Sequence, residues 1–378
     1  MFFIFSLSYS RDFLPVRGVD LSFLSELEEK GVVFKDTAGK PIGDLISFLR
    51  DEGANCVRLR LWIENPANQD SHCTLAETKK MALRIKAAGM KFLLDFHFSH
   101  TWADPSNQLF PENKTWQEAL AEYEDSRLSE QERLGIFSEK VFEPYIRNVL
   151  EELNLQDTAP DIIQVGNEIS NGFLHPLGRI DYGGENPFGN LGFLLARGIK
   201  TARECCPGAE IMLHLDCSSD LEKSEWWLEN VTEQLMLYGI DFDTIGFSYY
   251  SVWHGQNLEQ IGANLKEIID EFKKPVYIVE TAYPWTLDWK DKMNNIYGGK
   301  NQLIKKFPAE KNGQREYFEA LCKMVAEFPG GYGRGVFWWE PDYISFPEAG
   351  FYSSMENLTW FDFDRIYNGT GAVFKRFR

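Results

Sequence analysis

The sequence predicts a single (β/α)₈ barrel, and three observations carry that expectation. Eight short apolar runs alternate with stretches whose apolar residues recur at three- and four-residue spacing. Strands alternating with helices pair in parallel through right-handed crossovers, and eight such units close a barrel. The chain is 378 residues long with no Pro/Gly/Ser-rich linker, charge run or internal repeat to divide it. That length suits one barrel, a fold of roughly 200 to over 400 residues with insertions. An open doubly wound sheet is the runner-up. It is disfavoured because no GxGxxG turn follows the first strand and no GxxxxGK[ST] loop occurs.

The expected strands, in order, are Pro15 to Asp20, Cys56 to Trp62, Lys91 to Phe98 and Asp161 to Glu168, then Ile211 to Asp216, Asp243 to Tyr250, Pro275 to Thr281 and Gly335 to Pro341. Leu45, Ile46 and Leu49, or Met81, Leu83 and Ile85, illustrate the helical spacing between them. Residues 15–378 are read as the barrel and 1–14 as an N-terminal segment. That segment starts Met1-Phe2-Phe3-Ile4-Phe5, apolar but brief and without a cationic stretch, so it reads as an export-signal remnant or a frayed tail. No apolar run reaches 18 residues, and no membrane span is expected.

The formal charge of −18 would repel a polyphosphate, which excludes nucleic acid as a partner. A neutral ligand and a monomer are expected. The six cysteines include the adjacent Cys205-Cys206 and show no CxxC or Cys/His ligand spacing. They read as thiols rather than a disulfide framework or a metal site. The 11 Trp among the aromatics read as packing, or as stacking surfaces for sugar rings where they sit just past a strand end.

Chemistry concentrates late in each strand. The residues there are Asp20; Arg58 and Arg60; Asp95 and His97; Asn167 and Glu168; His214 and Asp216; Tyr249 and Tyr250; Glu280; and Trp339 and Glu340. Strand C-terminal ends form the active-site face of a barrel. Solvation alone explains Lys, Ser or Gly at such ends better than Arg, His and Trp. By alternation Arg58 and Arg60 share one strand face, as do Asp95 and His97, so each pair points into the barrel mouth.

Glu168 and Glu280 close two of these strands about three βα units apart. Two carboxyls at one barrel mouth, one protonated and one ionised, are what retaining glycosidases use, at a separation of about 5–5.5 Å. Glu168 is assigned as acid/base, its pKa raised by the second carboxylate and by desolvation. Glu280 is assigned as nucleophile, held ionised by Arg58 or Arg60, with a hydroxyl from Tyr249 or Tyr250 donating to it. Asn167 is expected to donate to a sugar 2-hydroxyl. Asp20, Asp95, Asp216 and Glu340 are rival carboxylates that spacing alone does not eliminate. His97 and His100 read as hydrogen-bonding groups, since no HxH on the first strand and no HExxH accompanies them.

With these residues in hand, the chain resembles the β-1,4-galactanases of glycoside hydrolase family 53. The resemblance rests on eight segments in order. They are Arg17-Gly18-Val19-Asp20-Leu21-Ser22, Val57-Arg58-Leu59-Arg60-Leu61-Trp62 and Asp95-Phe96-His97-Phe98-Ser99; Thr101-Trp102-Ala103-Asp104-Pro105 and Gln164-Val165-Gly166-Asn167-Glu168-Ile169; and Ser248-Tyr249-Tyr250 with Trp253-His254-Gly255, Glu280-Thr281-Ala282-Tyr283-Pro284 and Gly335-Val336-Phe337-Trp338-Trp339-Glu340-Pro341. It implies retaining cleavage within β-1,4-galactan, the side chain of pectic type I arabinogalactan, without a cofactor; a polymer too large to import suggests an enzyme outside the cell, with a cytoplasmic location the alternative. It also implies the same roles for Glu168 and Glu280, and sugar contacts from Asn167, His97, Trp102, Asp216, Trp253 and Trp339. Arg58, Arg60, Asp95, His214, Tyr249 and Tyr250 complete the expected binding set.

Two departures fall in loops beside the cleft. Ser106-Asn107 follows Trp102-Ala103-Asp104-Pro105 where the family has Gly-Lys or similar, and Ser353-Ser354-Met355-Glu356-Asn357 stands where Ser-Ser-Trp-Glu-Asn is usual. A structural calcium known in some relatives has no clear site in the loop from Trp285 to Gln314, which offers Asp288 and Asp291.

Overall fold

The computed structural model describes residues 13–65, 72–125 and 127–378. Eight parallel strands close a barrel: β1 (Val16–Asp20), β2 (Cys56–Leu61), β3 (Lys91–Phe96), β4 (Ile162–Val165), β5 (Glu210–Leu215), β6 (Thr244–Tyr249), β7 (Val276–Thr281) and β8 (Gly333–Trp338). Neighbours in sequence are neighbours in space, and β8 returns to β1 through Val16 paired with Gly335. All eight expected strands are present. Several stop one to three residues earlier than expected, because the polar residues at their ends have left the hydrogen-bonded ladder for the loops. Residues 1–12, most of the expected N-terminal segment, lie outside the described residues. Leu14 is buried and its N–H donates to the Phe377 carbonyl at 3.0 Å.

Seven helices cover the strands: α1 (Leu45–Glu52), α2 (Leu75–Ala87), α3 (Glu143–Asn154), α4 (Gly189–Cys205), α5 (Leu221–Leu237), α6 (Leu258–Phe272) and α7 (Lys311–Ala326). A 3₁₀ run, Thr370–Phe377, packs against α1 and α7 and fills the eighth position. Local sequence starts and stops these helices. The Asp44 carboxylate accepts from Ser47 N–H at 2.8 Å ahead of α1, and Gly53, at φ 119°, ends it. Thr74 and Glu77 cap the start of α2 reciprocally. Among the described residues no helix is long and apolar enough to cross a membrane. All six cysteines are free thiols.

The barrel interior has two storeys. Val16, Cys56, Leu93, Ile162, Met212, Tyr277, Val279 and Phe337 form a buried apolar floor. Above it, period-two alternation brings Asp20, Arg58, Asp95, Gln164, His214 and Ser248 inward from six successive strands. The register of β7 breaks this pattern. Phe247 pairs with Ile278 but Ser248 with Glu280, and on the other side Val336 pairs with Ile278 but Trp338 with Thr281. One extra residue in β7 therefore lets both Val279 and Glu280 face inward, as a β-bulge does.

Gly18 sits where the floor is tightest. A Cβ there would lie 2.0 Å from the ring of Phe337, which is fully buried and cannot swing away. Gly18→Ala is expected to destabilise the barrel by about 1–3 kcal/mol through overpacking. Urea unfolding of the variant beside the parent measures this, and an unchanged midpoint would contradict the packing described.

Candidate active site

Arg58 organises the floor of the mouth. Its Nη1 donates to Asp20 Oδ2 at 3.0 Å and Glu280 Oε1 at 2.7 Å. Nη2 donates to Asp95 Oδ2 at 2.7 Å and Asn167 Oδ1 at 2.8 Å, and Nε to Gln164 Oε1 at 3.2 Å. All five guanidinium N–H groups are thus used, which a lysine could not reproduce. Burial opposes the charge of Arg58, but Asp95, Glu280 and Asp20 outweigh it and push its pKa further up. The guanidinium is a fixed positive charge.

Asp20 and Asp95, rivals for catalysis by sequence, are occupied in this network. Asp20 also accepts from Ser22 N–H and Oγ, and Asp95 from Gln164 Nε2 at 2.7 Å. Glu340 pairs with Arg60 and accepts from Phe23 N–H. Arg60 therefore serves Glu340 and not Glu280; its guanidinium lies 4.3 Å from the Phe23 ring centroid and 4.4 Å from that of Trp102.

Glu168 and Glu280 line the same cleft, of about 370 Å³, but their surroundings differ. Glu280 holds Arg58 on Oε1 and the Tyr250 hydroxyl, at 3.0 Å, on Oε2. Burial raises its pKa, Arg58 pulls it only part of the way back, and Asp20 and Asp95 add to the rise. Among the described residues no cation pairs with Glu168. Ser248 Oγ donates to its Oε1 at 2.6 Å, while burial and the charge of Glu280 raise its pKa well above the usual carboxyl range. Ser248 is itself the cross-strand partner of Glu280. Of the two, Glu168 keeps its proton to higher pH. Tyr250 is pushed well above a normal phenol by burial and by both glutamates, and it stays a donor.

The backbone delivers Glu168 by a sharp turn. Gly166, at φ 92°, would place a Cβ 2.6 Å from Ile169. Glu168 itself has φ 48°, and Glu340, past β8, has φ 45°. Such conformations cost about 1–3 kcal/mol each and gather at functional sites.

The other expected residues fall in different places. Asp20, Arg58, Arg60, His97, Trp102, Asn167, Tyr250, Trp253 and Trp339 line the cleft with the two glutamates. Asp95 and His214 lie beneath it, fully buried. His97 Nδ1 accepts from Trp62 Nε1 at 3.2 Å while Nε2 faces Asp95 at 3.1 Å. Asp216 adds its charge beside Glu168 without being part of the cleft lining. Tyr249 faces the opposite way from Ser248 and Tyr250: its hydroxyl donates to the Gly255 carbonyl at 3.1 Å and its ring lies parallel to Tyr317. The expectation that either tyrosine could serve Glu280 resolves to Tyr250, since neighbours on a strand point to opposite faces. Sequence reasoning did not single out Gln164 or Ser248; both are polar residues in phase with inward-facing neighbours, a signal that was available. Tyr343, Ser354 and Met355 reach the cleft from the loop after β8, which no periodicity marks.

In the loop from Trp285 to Gln314, Asp291 accepts from Met293 N–H at 2.6 Å and Ser353 N–H at 3.1 Å, and no three His, Cys or carboxylate groups converge there. Among the described residues such a group occurs only at Glu29, His72 and Glu77, where His72 and Glu77 are already paired at 2.7 Å.

Comparison with known proteins agrees with this geometry. The model of glycosyl hydrolase family 53 matches residues 16–370. An arabinogalactan endo-beta-1,4-galactanase of Cellvibrio japonicus is 33% identical over 362 residues, covering 94% of this chain and 88% of that protein. The GH53 catalytic domain of Ignisphaera aggregans superposes with a TM-score of 0.81 at 27% identity, covering 98% of each chain. A structure from a study of two fungal beta-1,4-galactanases gives 0.78 at 28% identity, covering 96% of this chain and 99% of that one. A strand-end constellation of this kind, matched over almost the whole chain, has one consequence: the protein belongs to glycosyl hydrolase family 53 and is a glycoside hydrolase.

Proposed function

We propose that this protein is a retaining endo-β-1,4-galactanase that cleaves the galactan chains of type I arabinogalactan by double displacement. The observation that carries the reading is the unequal footing of two carboxyls on one cleft. Glu280 rests on Arg58 and Tyr250, whereas Glu168 takes a serine hydroxyl and the repulsion of Glu280, Asp216 and Asp104. The galactanase names of the relatives support the choice of sugar.

In the first step Glu280 attacks the anomeric carbon while Glu168 protonates the departing glycosidic oxygen. The lost proton leaves Glu168 as a carboxylate, able to deprotonate the water that then releases the sugar from Glu280. Tyr250 and Arg58 keep Glu280 ionised and aimed. One N–H of the Asn167 side chain is held by the Ala103 carbonyl at 2.8 Å, which leaves the other for the 2-hydroxyl of the sugar at the cleavage point. Trp102, Trp253 and Trp339 offer apolar faces to the sugar rings, Trp253 being 54% exposed at the rim. Residues 15–378 would act as one catalytic barrel. A substrate too large to import favours work outside the cell, and the net negative charge suits a neutral polymer.

Time-resolved product analysis on linear galactan, mannan and xylan tests the proposal. Galactan is expected to yield intermediate-length oligosaccharides whose new reducing ends appear first as the β-anomer. Activity confined to mannan or xylan, or initial release of the α-anomer, would contradict it.

Azide separates the roles of the two acids. Glu168→Ala should lower galactan cleavage by about 10²–10⁴-fold, lose far less on an aryl galactoside with an acidic leaving group, and yield a β-galactosyl azide. Glu280→Ala should be inactive alone and give the α-azide from an α-face attack on an activated β-substrate. Exchanged azide stereochemistry would reverse the assignment.

A further inference from the structure

We propose that Ser248 and His214 form a positioning chain that fixes one oxygen of the Glu168 carboxyl and leaves the other to carry the catalytic proton. The inference rests on the reading of Glu168 as acid/base and extends it to two residues that touch no substrate.

The direction of each hydrogen bond follows from its neighbours. Nδ1 of His214 faces the backbone N–H of Glu168 at 3.3 Å, which can only donate. Asn167 Oδ1, 2.9 Å away, already takes protons from Arg58 and Gln164. Nδ1 is therefore the acceptor, and the single imidazole proton sits on Nε2. That proton points at Ser248 Oγ, 2.9 Å away. The serine oxygen, loaded from behind, has its own proton free for Glu168 Oε1 at 2.6 Å. No described residue donates to Oε2, so the proton for the leaving group is carried there. Because Ser248 donates in both states of Glu168, the chain need not rearrange as the carboxyl loses and regains its proton.

The chain works only while His214 is neutral. The ring is fully buried, and burial, with Arg58 and His97 nearby, holds its pKa well below the usual imidazole value. The groups acting on Glu168 itself are Glu280, Asp216 and Asp104, which disfavour its ionisation, and Ser248, which favours it. Tyr250 lies beside both glutamates as a neutral phenol. Ser248 is thus the hydrogen-bond donor that offsets three carboxylates. Without it the Glu168 pKa must rise further, and the alkaline limb of activity, set by loss of that proton, must move to higher pH.

The test compares parent, Ser248→Ala and Ser248→Thr by the pH profile of kcat/KM on galactan and by ¹³C titration of the Glu168 carboxyl. In Ser248→Ala both readouts should rise by about one pH unit or more. Its galactan kcat should drop by about 10-fold, with a smaller loss on an activated aryl galactoside; Ser248→Thr should restore both. Nitrogen-15 spectra of the parent should show the His214 proton on Nε2. A proton on Nδ1, or a Ser248→Ala variant whose Glu168 titration is unmoved or falls, would overturn the chain. A parent inactive on galactan would refute the proposed function instead, and the carboxyl titration would still decide the role of Ser248.

Discussion

One buried guanidinium holds this site together. Arg58 gathers Asp20, Asp95, Glu280, Asn167 and Gln164 from strands on every side of the barrel mouth, and no N–H of its fork is left over. Three carboxylates around a single cation would be untenable in a dry interior without such geometry, because a buried charge is tolerated only when fully paired. In the proposed mechanism the same arrangement divides the catalytic labour. Glu280 touches the cation directly, while Glu168, which Arg58 does not contact, takes a hydrogen bond from Ser248 and the repulsion of nearby carboxylates. The chemical difference between two identical side chains is a matter of which one Arg58 can hold.

Placing those groups requires departures from regular strand structure. Glu168 occupies a left-handed conformation after a glycine turn, and Glu280 faces inward only because β7 carries an extra residue. Strict alternation from Tyr277 would bring Val279 inward and turn Glu280 toward the helices. Irregular backbone at these points re-aims a side chain at a cost that the apolar floor and helical shell sustain. The apolar floor around Phe337 and Tyr277 lies below, and the polar groups lie above.

Much of this was legible in the sequence, for identifiable reasons. The eight strands were readable because each is an apolar run bounded by breakers, and the inward sense of Arg58, Arg60, Asp95 and His97 followed from period two. Arg58 and Arg60 looked equivalent, yet they serve different carboxylates, because register across the barrel decides which acid each one meets. The orientations of Tyr249 and Tyr250 hung on where β6 ends. The roles of Gln164 and Ser248 depend on contacts between strands far apart in sequence, and pattern within one strand does not encode those. Met355 and Tyr343 arrive on a long loop whose path is fixed by packing and not by periodicity.

The account stands or falls on Glu280 being the ionised carboxylate that Arg58 presents to the anomeric carbon. A 2-deoxy-2-fluoro-galactoside with a reactive leaving group slows release of a covalent intermediate, and peptide mapping of the trapped enzyme reads the labelled residue. Attachment of a single sugar to Glu280 is the expected result. A label on Glu168, Asp20, Asp95 or Glu340, or turnover through no covalent species, would contradict it.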